Sequence, residues 1–448
     1  MTIVRWVRCC VFVLLAISVG VLRGSLEAAP EGATKHLAIV PFGVPSVSAD
    51  REWLSDGVAH VLALRLRHLA QLKVTVLPRT ILSSAEGIPN VVDNTNVVRL
   101  FERLRPSGYD AIIVGHFQQI EPSLRVEMFA WMMQPERYLG KTQEQASERD
   151  PDGLSIKLAT FVVSVFQVAP ADSEGRRFAE RYTNSSEAFE SFARALPLAE
   201  LADDEEDVIQ AVDRFKEALK ADAKFAMALR QQGDLLFRKG IYGGAAEAYQ
   251  SFLSVGRRSA LVYRLLGNAH FAQHDAPRAL DAYKRALQLD ARDYQLHLDL
   301  GLAYAALKDY ANATKTFLRV LELKPDDPLA FANLGVVYLL QGNFPAATAS
   351  LRRAQLLHGS DPVLSYNLGL SHMFEGAYEP AREQFERALE FKPDFAAAAY
   401  QLALIYERVD RAQAVERWRQ FLDLGRGEAG EQPWVTRAEE HLRLLQQP

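Results

Sequence analysis

The sequence predicts a small α/β domain with a mixed sheet, followed by an all-α superhelix of stacked helical hairpins. The all-α part is predicted by a ladder of glycines spaced 34 residues apart, Gly233, Gly267, Gly301, Gly335 and Gly369. A period of 34 is typical of a repeat in which each hairpin buries its apolar face only by stacking on its neighbours. The α/β part is predicted by apolar strands that alternate with amphipathic helices between residues 34 and 170.

The composition indicates a folded protein that does not bind nucleic acid. The chain has 448 residues, of which 49% are hydrophobic and 10% aromatic, and its formal net charge is −5. Because binding to phosphates needs a concentrated basic surface, we expect no nucleic-acid partner. The two cysteines, Cys9 and Cys10, lie together near the amino terminus, so we expect no disulfide or thiolate site in the rest of the chain.

Residues 1–29 have the pattern of a signal peptide or of an N-terminal anchor. Arg5 and Arg8 precede an apolar stretch at residues 9–22, which is short for a membrane span of about 20 residues. Small residues at 28–29 offer a cleavage site. In both cases we expect export to the periplasm or the cell envelope, and we expect membrane association through this segment if it is retained.

Residues 34–170 are predicted to form the α/β domain, with the element order β-α-β-α-β-β-β-α. The expected strands are residues 36–42, 72–77, 111–117, 124–131 and 137–145, and the expected helices are residues 53–69, 96–104 and 152–166. Asp50 is expected to cap the first of these helices. Strands and helices in this order indicate a mixed sheet.

The repeat unit combines small and large residues at fixed positions. If a unit begins at Ala260, Gly267 is position 8 and Ala279 is position 20. Small residues at these positions are expected where the two helices of one hairpin cross closely. Large residues at positions 4, 7, 11 and 24 are expected to fill the space between successive hairpins. Prolines near position 32, such as Pro325 and Pro393, are expected to end the second helices.

The spacing extends beyond the glycines at both ends. Ala403 continues the ladder one step after the last glycine, and Ala211 marks position 20 of a divergent first hairpin. We therefore predict about seven hairpins at residues 185–430 and a capping helix at residues 431–448, which covers the apolar end of the stack. An acidic stretch at residues 203–207 is predicted to be a solvated loop in the first hairpin.

This pattern of small and large residues resembles the tetratricopeptide repeat. The α/β region resembles the amino-terminal domain of TolB, which occurs ahead of such repeats in many bacterial proteins. This second resemblance is carried by residues 38–42, 54–57 and 109–115, and by the paired strands at 124–131 and 137–145. It implies a protein of the cell envelope, because a targeting segment stands where signalling relatives carry a DNA-binding or cyclase module.

Positions 2, 5, 9, 12 and 13 of each first helix are expected to line the inner groove of the superhelix. These positions are largely apolar, and an exposed apolar strip normally marks a binding site. The predicted groove residues are Arg264, Asn268, Phe271, Leu298, Leu302, Val336, Leu339, Leu340, Tyr366, Leu370, Met373 and Phe374. The expected partner is another protein, which contributes an apolar peptide segment or an amphipathic helix. Two other interpretations stay open: the register is wrong by one residue, or another part of the chain fills the groove.

No residue pattern indicates catalysis, a cofactor or a metal site. The sequence has no glycine-rich phosphate loop, and its histidines lack the spacing of metal ligands. A clamp for terminal carboxylates, known from one subfamily of these repeats, is not expected, because Asp299 and Leu329 replace the required amide and cation. We therefore predict a non-enzymatic protein-binding scaffold. The alternative is a sensory subunit whose α/β domain binds a small ligand; there, His116, Asp56 and Gly57 are candidate contacts, with structural roles as the favoured interpretation.

Overall fold

The computed structural model describes residues 34–44, 53–78, 97–120, 123–147, 150–168, 170, 178–359, 361–425 and 432–446. These residues divide into two compact units, one before Ser259 and one from Ser259 onward. The predicted targeting segment at residues 1–29 and the predicted cap Asp50 lie outside the described residues. Within the described part, no helix has the length and the apolarity that crossing a membrane requires.

The first unit begins with a five-stranded mixed sheet, which confirms the predicted α/β class. Its strands are β1 (Lys35–Ile39), β2 (Leu72–Val76), β3 (Ala111–Ile120), β4 (Ser123–Met133) and β5 (Glu136–Ser147). Their order across the sheet is β2-β1-β3-β4-β5. β1 runs parallel to β2 and to β3, whereas β3, β4 and β5 are joined by antiparallel pairing.

The three antiparallel strands are longer than the sequence predicts. In the ladder, Gln118 pairs with Arg125, and Met133 pairs with Glu136. The pairing therefore continues past the end of the apolar alternation, because the hydrogen bonds of a ladder join main-chain groups and do not require apolar side chains.

Helices cover both faces of the sheet. Among the described residues of this domain, the α-helices are α1 (Trp53–Leu66), α2 (Val97–Leu104) and α3 (Pro151–Val165). α1 and α3 pack on one face and α2 packs on the other. Because successive residues of a strand point to opposite faces, β3 supplies Ile113 to the first core and Ile112 to the second.

Two helical hairpins complete the first unit. They pair α4 (Ser186–Leu201) with α5 (Glu205–Ala221), and α6 (Ala226–Arg238) with α7 (Tyr242–Ser254). The acidic stretch is not the predicted loop, because most of it belongs to α5. Asp204 caps that helix by accepting a hydrogen bond from the N–H of Asp207 at 2.9 Å. The acidic first turn is favourable there, because the amino terminus of a helix carries a partial positive charge.

Helix α1 packs against the first hairpin as well as against the sheet. A Cβ atom on Gly57 would lie 3.0 Å from the Cβ of Ala193, so glycine lets α1 and α4 approach closely. The rings of Trp53 and Phe189 meet edge to face, with 6.5 Å between their centroids. The structure therefore assigns Gly57 a role in helix packing, whereas the sequence favoured a different structural role, in shaping the start of the helix.

A buried ion pair fixes the segment that leads into the first hairpin. Arg65 of α1 and Asp152 of α3 are both buried and pair directly. Arg65 also donates to the carbonyl oxygens of Phe178 at 3.1 Å and Glu180 at 2.8 Å. The other oxygen of Asp152 accepts from the N–H of Tyr182 at 2.6 Å. This pair is not apparent from the sequence, because its members lie 87 residues apart on two separate helices.

The second unit contains five further hairpins and a final helix, which confirms the all-α class of this region. The hairpins pair α8 (Ala260–Ala272) with α9 (Ala276–Leu289), α10 (Tyr294–Ala306) with α11 (Tyr310–Leu323), α12 (Pro328–Gln341) with α13 (Phe344–Leu357), α14 (Pro362–Phe374) with α15 (Tyr378–Phe391), and α16 (Ala396–Val409) with α17 (Arg411–Gly425); α18 (Gln432–Gln446) follows.

The ladder glycines lie where the two helices of a hairpin cross. A Cβ atom on Gly301 would lie 2.5 Å from the ring of Phe317, and one on Gly369 would lie 2.7 Å from the ring of Phe385. In each case the neighbour is the large residue at position 24. That residue was expected only between successive hairpins. It packs on the glycine of its own hairpin as well, because the missing Cβ leaves room for its ring.

Helix α18 packs on the last hairpin. The ring of Trp434 lies 4.9 Å from that of Tyr400, and His441 stacks on Trp418 at 5.1 Å, measured between ring centroids. Glu407 accepts a hydrogen bond from Trp418 Nε1 at 2.8 Å, and its carboxylate lies 2.7 Å from His441 Nδ1. These contacts cover aromatic side chains that the last hairpin would otherwise expose.

Candidate protein-binding groove

The twelve predicted groove residues occupy four successive first helices of the second unit. They comprise Arg264, Asn268 and Phe271 on α8; Leu298 and Leu302 on α10; Val336, Leu339 and Leu340 on α12; and Tyr366, Leu370, Met373 and Phe374 on α14. On each helix they recur every three or four residues, singly or as the adjacent pairs Leu339/Leu340 and Met373/Phe374, which places them on one side of the helix. We call these twelve residues together the inner stripe.

Four of the twelve are already buried by other parts of the protein. These are Leu298, Leu339, Tyr366 and Leu370. The ring of Tyr366, for example, lies 5.6 Å from that of Phe385 and 5.2 Å from that of Phe395. These four side chains belong to the cores that join neighbouring hairpins. The other eight are half-buried and keep part of their surface accessible.

Aromatic and apolar residues dominate the half-buried part of the inner stripe on α12 and α14. Phe374 stacks on Phe344 of the preceding hairpin, with 5.1 Å between ring centroids. Leu340 and Met373 border the core that contains Tyr366. The packing fixes the positions of these side chains, so this surface is formed before any partner binds.

The α8 end of the inner stripe is polar, and its polar groups are engaged within the protein. Arg264 Nη1 donates to Gln295 Oε1 at 2.6 Å, and its Nε lies 3.6 Å from the carboxylate of Asp299. Asn268 Oδ1 accepts from the hydroxyl of Tyr283 at 2.7 Å. The contact of Arg264 joins two successive hairpins, and the contact of Asn268 joins the two helices of one hairpin. Both polar groups are thus used within the protein, which adds a structural reason against a carboxylate clamp.

Asp299 is a buried acid at this end of the inner stripe. Burial raises the pKa of its carboxyl to about 7, and the positive charge of Arg264 opposes this rise. Near neutral pH the group therefore exchanges between its neutral and its charged form. From the sequence, Asp299 was expected only to replace the amide of a carboxylate clamp.

A row of polar residues lies beside the inner stripe and is not apparent from its apolar pattern. Position 6 of successive units holds Asp299, Asn333 and Asn367, at the same spacing of 34 as the glycines. Asn367 is only 4% exposed, and its Oδ1 has no hydrogen-bond partner. Asn333 is half-buried. The spacing of 34 residues is the signal in the sequence that identifies this row, whereas the apolar pattern does not.

The candidate residues of the α/β domain do not form a cluster of metal ligands. His116 is buried beside Phe129, and its Nε2 lies 3.6 Å from the carboxylate of Glu127. Asp56 lies on α1, where its carbonyl oxygen is 2.7 Å from Nδ1 of His60. Across the residues that the structure describes, no group of three or more histidine, cysteine or acidic side chains could hold a metal ion.

Comparison with known protein families identifies the repeats. Models of the tetratricopeptide repeat match residues 196–260, 264–328, 314–362 and 364–395. These matches confirm the repeats that the glycine spacing predicts. No curated protein matches the chain.

Several solved structures are similar to part of the chain. MamA from Desulfovibrio magneticus RS-1 is 24% identical, with 38% of this chain and 97% of that chain covered and a TM-score of 0.37. A tetratricopeptide repeat protein from Parabacteroides merdae is 17% identical, with 57% and 99% covered and a TM-score of 0.44. YrrB, described as a tetratricopeptide repeat protein with an unusual peptide-binding site, is 21% identical, with 42% and 96% covered and a TM-score of 0.36.

Proposed function

We propose that this chain, which carries tetratricopeptide repeats, is a non-enzymatic scaffold that binds a segment of another protein along the inner stripe of α8 to α14. The observation that carries the proposal is a set of apolar side chains on successive first helices that keep accessible surface. They are Phe271, Leu302, Val336, Leu340, Met373 and Phe374. Accessible apolar surface of this kind favours an apolar partner, because binding removes it from water.

The arrangement favours reversible binding. The cores beneath the inner stripe hold its side chains in place, so little conformational entropy is lost when a partner binds. Affinity then comes from apolar area, and specificity comes from the few polar groups beside it. Catalysis plays no part in this proposal.

We also propose that the protein acts in the cell envelope. The pattern of residues 1–29 and the resemblance of the α/β domain to TolB support this location. An exported protein with a preformed groove is suited to hold partners in an envelope complex. Fractionation of cells that produce the full chain tests the location, and recovery in the cytoplasmic fraction alone would contradict it.

The binding proposal is tested by charge substitutions on the accessible part of the inner stripe. Leu302→Asp combined with Met373→Asp places two carboxylates against the bound apolar segment, so a partner captured by the wild-type protein should no longer be captured. Leu356 provides the matched control, because it is 79% exposed on a second helix. Leu356→Asp should leave capture unchanged. Equal capture by the wild type, the double variant and Leu356→Asp, with equal helical circular dichroism, would contradict the proposal.

A second candidate function is the binding of a small ligand by the α/β domain. The observation that favours it is His116, whose side chain is buried and whose Nδ1 has no hydrogen-bond partner. A ligand that supplies this partner should raise the thermal midpoint of the full chain. Screening a metabolite collection by thermal shift, with His116→Gln as the control that loses the shift, tests this function.

A further inference from the structure

We propose that the second helices α9, α11 and α13 present a basic face that docks on the surface of a membrane containing anionic phospholipids. The face consists of positions 22, 25, 26 and 29 of three successive repeat units, and we call it the basic face. Its cations are Lys284, Arg285, Lys315, Arg319, Arg352 and Arg353. It includes no residue of the inner stripe, so it adds a second binding surface to the one in the proposed function.

The spacing of the basic face places it on one side of each second helix. Steps of three, one and three residues are the spacing of one helical face. The other side of the same helix is buried: on α13, Leu351 fills the space beside Gly335 of the first helix, and Ala347 and Ala354 are also buried. The basic face therefore points away from the first helices, and all twelve of its positions are exposed.

Positive charge is concentrated on the basic face. Six of its twelve positions carry a cation and two carry an acid, Asp281 and Glu322, which leaves an excess of four positive charges. On the next second helix, α15, the same four positions have an excess of two negative charges. They hold Glu383, Glu386, Arg387 and Glu390. The positive charge is thus confined to three helices of a chain whose net charge is −5.

Three of the six cations are not neutralised by an acid. Within the part of the chain that the structure describes, Lys284, Lys315 and Arg352 form no ion pair. The other three cations form exposed ion pairs, with N to O distances of 3.0, 2.5 and 2.7 Å. Exposed pairs of this kind hold their partners weakly, so these arginines can also turn toward an anionic surface.

Each of the three helices adds an exposed leucine beside its cations. Leu289 is 45% exposed, Leu318 is 44% exposed and Leu356 is 79% exposed. One exposed leucine is ordinary on a protein surface. Leucines among cations, however, match the two layers of a membrane surface, because the cations meet anionic headgroups while the leucines reach the boundary of the acyl chains.

The layout of the basic face favours a lipid surface over an acidic protein segment. Packed helices lie about 8–10 Å apart, so three of them spread the cations over about 20 Å. Because every position is exposed, the face is open and does not form a cleft that would hold one segment. Flexible lysine and arginine side chains can each find a headgroup in a fluid bilayer without a fixed geometry.

The test measures binding of the full chain to vesicles of phosphatidylcholine and to vesicles of equal parts phosphatidylcholine and phosphatidylglycerol. The wild type should prefer the mixed vesicles, and the preference should fall as salt rises. Lys284→Gln combined with Lys315→Gln and Arg352→Gln should weaken binding to the mixed vesicles about a hundredfold, since each cation near an anionic bilayer contributes about fivefold. Circular dichroism verifies that the variant is folded.

The matched control removes the same charge from another exposed helix, α5. Arg214→Gln combined with Lys216→Gln and Lys220→Gln should leave vesicle binding nearly unchanged, because these side chains are exposed elsewhere on the chain. Residues 1–29 are identical in all three proteins, so any affinity of that segment for the vesicles cancels in the comparison.

Photo-crosslinking to lipid provides the second readout. A benzoylphenylalanine that replaces Leu356 in the full chain should form an adduct with phospholipid on the mixed vesicles, which mass spectrometry detects. The same residue at Leu201, which is 64% exposed on α4, should form none.

Two results would overturn the inference. One is an equal effect of the two triple variants on vesicle binding, and the other is an equal yield of lipid adducts at positions 356 and 201. If the Lys284, Lys315 and Arg352 variant binds vesicles like the wild type but no longer captures a protein, the basic face binds an acidic protein and the lipid inference fails. The proposed function is decided separately, by Leu302→Asp combined with Met373→Asp.

Discussion

Single glycines determine how closely the two helices of each hairpin approach. At Gly301 the ring of Phe317 occupies the space that a side chain would need, and the same relation recurs at Gly233, where a Cβ would lie 2.6 Å from the ring of Tyr249. An added methyl group can be accommodated only if the ring or the helix moves. The ladder therefore has a steric cause that acts within each hairpin.

Gly301→Ala is predicted to lower the free energy of unfolding by about 1–3 kcal/mol, because it overpacks the hairpin crossing. Gly359 provides the matched control, since the nearest atom to its added Cβ would be 3.8 Å away. Gly359→Ala should change the stability by less than about 0.5 kcal/mol. Urea unfolding followed by circular dichroism measures both. Equal effects of the two substitutions would contradict the steric account.

Asp299 should make the stability of the repeats depend on pH. Its folded pKa, about 7, lies above the value of about 3.9 that an unfolded aspartate has. The folded state therefore holds the proton more tightly, and the free energy of unfolding falls as the pH rises between these two values. Below and above this pH range, the contribution of Asp299 to the free energy of unfolding does not change with pH.

Asp299→Asn keeps the shape of the side chain and removes its charge, so it should flatten the pH dependence between pH 4 and pH 8. At pH 8 the variant should be more stable than the wild type, by on the order of 4 kcal/mol. Thermal midpoints measured across this range give the comparison. Parallel curves for the two proteins would show that Asp299 does not titrate abnormally.

At the scale of elements, the α/β domain and the first hairpin are joined as one packed body. One side of α1 packs on the sheet and another side packs on α4. Val61 of α1 therefore belongs to the same core as Phe192 of α4. The buried pair of Arg65 and Asp152 then fixes the connecting segment. The first hairpin thus has an apolar cover at its free end, as a terminal repeat requires.

Asp152→Ala is predicted to destabilise this body by about 3–5 kcal/mol, because it leaves Arg65 buried without its counter-charge. The same change also removes the acceptor for the N–H of Tyr182. Asp213→Ala is the control, since Asp213 forms an exposed ion pair with Lys216 and its loss should cost at most about 1 kcal/mol. Proteolysis of the segment around Tyr182 should accelerate in the first variant only. Similar proteolysis of both variants would exclude a role for the ion pair in fixing the segment.

At the scale of the whole molecule, the sequence predicts repeated features better than singular ones. The glycine spacing predicts the hairpins because each copy of a crossing repeats the same steric requirement. The strands of the α/β domain are predicted because their side chains alternate between two faces. Arg65 and Asp152 are not predictable in this way, because their pairing depends on how two distant helices meet.

The candidate groove, too, could be predicted only in part from the sequence. Helical spacing identifies the stripe that carries Tyr366 and Leu370, but it does not reveal how closely neighbouring hairpins pack on these two residues. Helical spacing also does not reveal that Asn367 is buried and that its Oδ1 has no hydrogen-bond partner. The apolar face of a helix can therefore be predicted from the sequence of that helix alone. The solvent accessibility of its side chains depends on the neighbouring helices.

The most direct measurement of the central claim is site-specific photo-crosslinking in cells that produce the full chain. A benzoylphenylalanine is placed either at Leu302 on the inner stripe or at Leu356, which is exposed on a second helix. The scaffold account predicts that a discrete partner protein is crosslinked from position 302 and is not crosslinked from position 356. Crosslinking of the same protein from position 356 alone, or equally from both positions, would contradict it.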